Sequence, residues 1–127
     1  MSYYFSKEVG LSFDEAIAKV TKELAKEGFG ILTEIDVRQT LRKKLDVDFR
    51  PYKILGACNP PFAYRALQRE NKIGTLLPCN VIVQQKNDGV EVTAVDPVAS
   101  MQAVENENLV EVAKKVQTKL KNVIERL

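Results

Sequence analysis

Asn87-Asp88-Gly89, set between residues 79–85 and 90–95, constrains this chain more than any other stretch. Both flanks are rich in β-branched residues, and the second alternates apolar and polar side chains, so the segment predicts two strands joined by a tight hairpin. Such a hairpin forces its strands antiparallel, because a parallel pair would need a long crossover connection. Any fold for this chain therefore has to be built around an antiparallel pair near its C-terminal third.

The remainder supplies strands and helices in mixed order. Residues 3–9 carry aromatic and β-branched side chains and predict a first strand closed by Gly10. Ser12-Phe13-Asp14-Glu15 has capping-box spacing, and the apolar positions that follow at Ala16, Ile17, Val20, Leu24 and Ala25 predict a helix ended by Gly28. From 31 to 37 the residues alternate, which puts Ile31, Thr33, Ile35 and Val37 on one strand face and Leu32, Glu34 and Asp36 on the other. A short helix is predicted over 39–45 and a third strand over 51–58. Asn59-Pro60-Pro61 then reads as a cap and first turn, since proline fits the start of a helix and cannot extend a central strand. That helix runs to about residue 70, residues 72–78 connect it to the hairpin, and Asp96-Pro97 closes the hairpin's second strand. A last amphipathic helix over 106–127 aligns Leu109, Ala113, Val116, Leu120, Val123 and Leu127 on one stripe, which must be covered either by its own sheet or by a second subunit. Antiparallel strands with interspersed helices define an α+β class: one mostly antiparallel sheet with helices packed on one face.

A chain of 127 residues matches a single domain spanning 1–127, long enough to bury a core without disulfides or metal. Its net charge of +2 comes from interspersed signs, so no single-sign field steers a nucleic acid or an anionic membrane, and neither is expected as a partner. The first residues carry no basic-then-apolar leader, which sets the expectation of a cytoplasmic protein. Histidine is absent, which removes Ser-His-Asp and Cys-His catalysis and the zinc sites that mix histidine with other ligands. Without a glycine-rich phosphate loop or a dinucleotide fingerprint, no cofactor is expected.

Chemistry is then left to a few residues. The two cysteines, Cys58 and Cys79, end one predicted strand and begin the next, and each precedes an asparagine, Asn59 and Asn80. If those strands pair, the sulfurs approach each other. Cys58 would then stand at a helix start, whose dipole and free amides favour a thiolate, with Cys79 as resolving thiol. The competing reading is that both are small buried hydrophobes. Two thiolates supply only half of a closed zinc site, so a soft metal would require a dimer-related pair or a water, and no metal site is assigned. Glu34 and Asp36 share one strand face and offer a cation site or an acid–base pair. Thr40, Arg42, Lys43, Lys44 and Arg50 form a basic surface beside them, while Phe62, Tyr64 and Tyr52 either wall a pocket at the cysteines or fill the core.

Leu-Thr-Glu-Ile-Asp at 32–36, Asp-Phe-Arg-Pro-Tyr at 48–52, Ile-Leu-Gly-Ala-Cys-Asn-Pro-Pro at 54–61, Leu-Leu-Pro-Cys-Asn-Val at 76–81 and Asp-Pro at 96–97 together resemble the domain of unknown function 302 family. The resemblance spans nearly the whole chain. It implies a small prokaryotic cytoplasmic protein with a TATA-binding-protein-like α+β fold, homodimeric and without an established reaction; the fold name carries no DNA-binding implication. Three classes of function follow. The first is a homodimeric module binding a small molecule, an anion among the candidates, near Cys58, Asn59, Cys79, Asn80, Glu34 and Asp36. The second is a thiol redox, sulfur-transfer or soft-metal protein using Cys58 and Cys79, and the third is a structural or regulatory partner. The sequence favours the first and leaves catalysis open.

Overall fold

The computed structural model describes residues 2–127 and places a five-stranded sheet at the centre of the chain, in the spatial order β1-β5-β4-β3-β2. The strands are β1 (Tyr4–Val9), β2 (Gly30–Asp36), β3 (Tyr52–Cys58), β4 (Cys79–Lys86) and β5 (Gly89–Val95). Every pairing is antiparallel. The hairpin pairs Lys86 with Gly89, leaving Asn87-Asp88 as its two-residue turn, and Gly89 takes φ +149°, which favours glycine.

Alternation along the strands separates two faces. Leu55 and Ala57 of β3, Val81 and Val83 of β4, and Val90, Val92 and Ala94 of β5 are buried together. They pack on α1 (Phe13–Lys26), through Ala16, Val20 and Leu24, and on α5 (Val110–Glu125), through Val112, Val116, Leu120, Val123 and Ile124. The C-terminal stripe thus packs on its own sheet. It is broader than the heptad-like spacing predicts, because covering a twisted sheet takes a wide apolar face rather than a narrow seam. At the start of α1 the capping box forms as predicted: Glu15 N–H donates to Ser12 Oγ at 3.2 Å, and Ser12 N–H donates to Glu15 Oε1 at 3.1 Å.

Two local predictions need correction. Asp36 caps α2 (Val37–Leu45), so Val37 begins that helix rather than ending β2. A β-bulge between Ile31 and Thr33 breaks the simple alternation: Ile31, Glu34 and Asp36 pair with Ala57, Leu55 and Lys53, while Thr33 and Ile35 pair with Gly56 and Ile54. Ile31 therefore shares a side with the carboxylates instead of with Thr33 and Ile35. After the hairpin, Asp96-Pro97 opens a single turn, α4 (Pro97–Ser100), in which Asp96 accepts from the Val98 amide at 3.0 Å and from Gln117 Nε2 at 3.0 and 3.1 Å. The helix between the cysteines is α3 (Pro60–Arg69), followed by a 3-10 turn at Ile73–Leu76 whose Ile73 plugs the core. Among the described residues, no helix is long and apolar enough to cross a membrane.

Candidate functional site

Cys58 is the last residue of β3 and Cys79 the first of β4, so the pairing of those strands does bring them near each other. The register pairs Cys79 with Ala57, however, and leaves Cys58 one position beyond, with Gly30 of β2 as its partner. Both are free thiols; Cys58 is half-buried and Cys79 is buried. Burial pushes the Cys79 thiol up to about 11, and the neighbouring Cys58 sulfur adds to the rise. Burial of this kind works against a resolving thiol, which must reach the thiolate form to attack. In the folded protein at pH 8, alkylation is expected to reach Cys58 and spare Cys79, with Cys79 labelling rising only as pH approaches 11 or when the chain unfolds. Residue-resolved mass spectrometry reads both rates, and equal rates at pH 8 would overturn this assignment.

The start of α3 offers less to an anion than its position suggests. Pro60 and Pro61 occupy the first two helical positions and have no N–H, and the Ala63 amide is already bonded to the Asn59 carbonyl at 2.9 Å. Most of the free amides expected to favour a Cys58 thiolate are therefore missing. Asn59 also departs from its predicted role, since its side chain makes no capping bond. Its Nδ2 instead donates to the carbonyl of Glu27 at 3.0 Å, stapling the end of α1 to the start of α3. Gly28 makes room for that staple: it takes φ +90°, and a Cβ there would stand 3.2 Å from Asn59 Nδ2.

Beneath this staple lies a cavity of about 270 Å³ between α3, α5 and the adjoining ends of β3 and β4. Cys58, Asn59 and Cys79 line it, as do Phe29, Phe62, Ala63, Leu67, Met101 and Val116. Its walls are almost wholly apolar. Sequence reasoning found the two sulfurs, Asn59 and Phe62 and missed most of the rest, because Phe29, Met101 and the α5 residues come together only when the helices pack. Above the wall, the Arg65 guanidinium lies 5.3 Å from the centre of the Phe62 ring and the Lys119 ammonium 5.9 Å from it.

The other candidates stand elsewhere. Asn80 is exposed on β4, opposite Gly56. Glu34 and Asp36 do share a side of β2, but each is engaged locally. Lys53 Nζ donates to Glu34 Oε1 at 2.7 Å, which raises the lysine pKa, and the Gln39 amide donates to Asp36 Oδ1 at 3.0 Å. Among the described residues, no three potential metal ligands drawn from His, Cys, Asp and Glu gather into one group. The basic surface is partly neutralised, since Arg42 pairs with Asp46 at 3.6 Å and Asp48 at 3.1 Å, and Arg50 stacks on Phe49 and Tyr52. Tyr64 is 65% exposed and walls nothing.

Comparison with known proteins agrees with this architecture. A crystal structure of an uncharacterised conserved protein, DUF302, from Bacillus stearothermophilus superposes with a TM-score of 0.92 at 28% sequence identity, covering 99% of this chain and 98% of that one. No curated protein matches the chain. The family model described as domain of unknown function DUF302 matches residues 5–127, and with nearly the whole chain accounted for in this way, the protein belongs to the DUF302 family.

Proposed function

We propose that this protein is a binding module that holds a small, mainly apolar ligand in the cavity between α3 and α5, and that it acts as a homodimer. The cavity carries the reading. At about 270 Å³ with apolar walls, it has few partners for ordered water, so a ligand that displaces poorly held water there gains affinity. Catalysis is the less supported reading, because Cys79 is held as a neutral thiol and Glu34 and Asp36 are committed to a lysine and a helix cap. The test is a titration with 1-decanol followed by methyl NMR. Shifts are expected at Ala63, Ala113 and Met101, which line the cavity, and not at Ala16, which is buried on α1 and does not line it. No shift up to the solubility limit of the alcohol would end the proposal.

Support for the homodimer comes from the sheet face that α1 and α5 leave uncovered. Ile35, Ile54 and Ile82 lie directly abreast on β2, β3 and β4 and continue into Thr93 of β5. The charges on that face are matched internally: Gln84 and Lys86 donate to Glu91, and Arg50 donates to Gln84. A second copy would therefore bring no net repulsion, and its own isoleucine row would be covered in the same contact. Sedimentation of the wild type against Ile54→Lys reads this directly, with a dimer expected for the first and a monomer for the second; a wild-type monomer would exclude the arrangement.

A further inference from the structure

Phe62 serves two environments at once. It lines the apolar cavity, and two cations stand over its ring, Arg65 at 5.3 Å and Lys119 at 5.9 Å from the ring centre. Arg65 follows Phe62 by three residues on α3, so the two are neighbours on that helix surface. Lys119 stands one turn beyond Val116, one of the cavity residues of α5. Both helices that wall the cavity thus present a basic side chain at the same aromatic residue.

Resting on the cavity reading above, we propose that the ligand class is an amphiphilic monoanion: an alkyl tail inside the cavity and a carboxylate held outside it by Arg65 and Lys119. The walls require this division, because an ionised carboxylate taken into an apolar cavity loses its hydration without gaining partners. Charge matching sets the headgroup. Lys119 is paired with Glu27 Oε1 at 3.6 Å, and the other oxygen of that carboxylate accepts from Arg126 at 2.8 Å. Arg65 is exposed and in no ion pair among the described residues; Glu111 of α5, whose carboxyl it helps to hold low, is itself paired with Lys115 at 3.1 Å. One unpaired cation with a planar fork of donors matches one carboxylate better than a dianion or a neutral alcohol. Volume sets the tail: a dry cavity of about 150 Å³ holds benzene, so one of about 270 Å³ holds roughly ten carbons.

The test is calorimetric titration of the full chain with decanoate and, separately, with 1-decanol, repeated on Arg65→Gln and on Arg65→Gln combined with Lys119→Gln. Decanoate is expected to bind at least tenfold more tightly than decanol. Arg65→Gln should cost most of that advantage, the double variant should bring decanoate to the level of decanol, and decanol should bind all three proteins alike. Raising the salt concentration should weaken decanoate and leave decanol unchanged. If both ligands bind the wild type equally and neither substitution changes decanoate, the headgroup assignment is wrong while the cavity reading stands. If neither ligand binds, the cavity reading itself fails and takes this inference with it.

Discussion

Gly56→Val is expected to lower stability by about 3 kcal/mol, although both usual considerations point the other way. Valine is a better strand former than glycine, and any side chain reduces the freedom of the unfolded chain, so a strand glycine replaced by valine should ordinarily gain stability. Here the side chains of Thr33 and Pro78 already occupy the space. Gly56 sits on β3 between Leu55 and Ala57, each 1% exposed, with Thr33 of β2 and Asn80 of β4 as its cross-strand partners. A Cβ at this position would stand 2.7 Å from Cγ of Pro78 and would overlap Oγ1 of Thr33. The threonine can rotate away, whereas the proline ring cannot, so the clash falls on the segment that leads into Cys79 and forms one wall of the cavity. For a domain of this size the loss corresponds to a fall in melting temperature of roughly 10 °C. Thermal unfolding of Gly56→Val, Gly56→Ala and Gly56→Ala combined with Thr33→Ala checks the account. The alanine variant should be destabilised less than valine, and removing the threonine hydroxyl should recover part, but not all, of its loss. A melting temperature unchanged or raised in Gly56→Val would show that β2 and Pro78 yield freely.

How much of this was legible in the sequence depended on whether the cause was local. The hairpin, the α1 capping box and the order of strands follow from residues within a few positions of one another, and they stand as predicted. The bulge after Ile31 left no such mark, since nothing in Ile31-Leu32-Thr33 announces an extra residue opposite β3, and it redistributed the face on which Ile31 stands. Asn59 was legible as the residue at the head of α3 but not as a donor to Glu27, because its partner lies 32 positions away. Cys58 and Cys79 drew attention as the only sulfur pair of their kind in the chain, and the cavity does lie beside them. Its character was hidden. Phe29 lies between α1 and β2, Met101 follows α4 and Val116 is on α5, and each reads on its own as ordinary core. The carboxylates at 34 and 36 were conspicuous for the opposite reason, being polar residues on a strand, yet Lys53 and the α2 cap account for them.

Ala63→Phe is expected to abolish binding of both decanol and decanoate while leaving the protein as stable as the wild type or more so. Ala63 is half-buried on α3 and faces the cavity, beside Phe62 and one turn from Leu67. Because a benzene ring fits an apolar cavity of about 150 Å³, the benzyl group of phenylalanine has room within about 270 Å³ and takes the space a ligand tail would use. Filling an apolar void typically contributes about 0.5–2 kcal/mol, and the lower helix propensity of phenylalanine offsets part of that by roughly 0.5 kcal/mol. The variant should therefore melt at or slightly above the wild-type temperature without ligand. With decanoate present at a hundredfold excess over its dissociation constant, the wild type should gain about 2.7 kcal/mol and the variant nothing. The opposite movements of stability and binding make the result specific to an occupied cavity. A substitution that damaged the fold would lower both, and a ligand bound at the Glu34–Asp36 strand or on the isoleucine face would protect the wild type and Ala63→Phe equally. Equal protection would place the ligand outside the α3–α5 cavity.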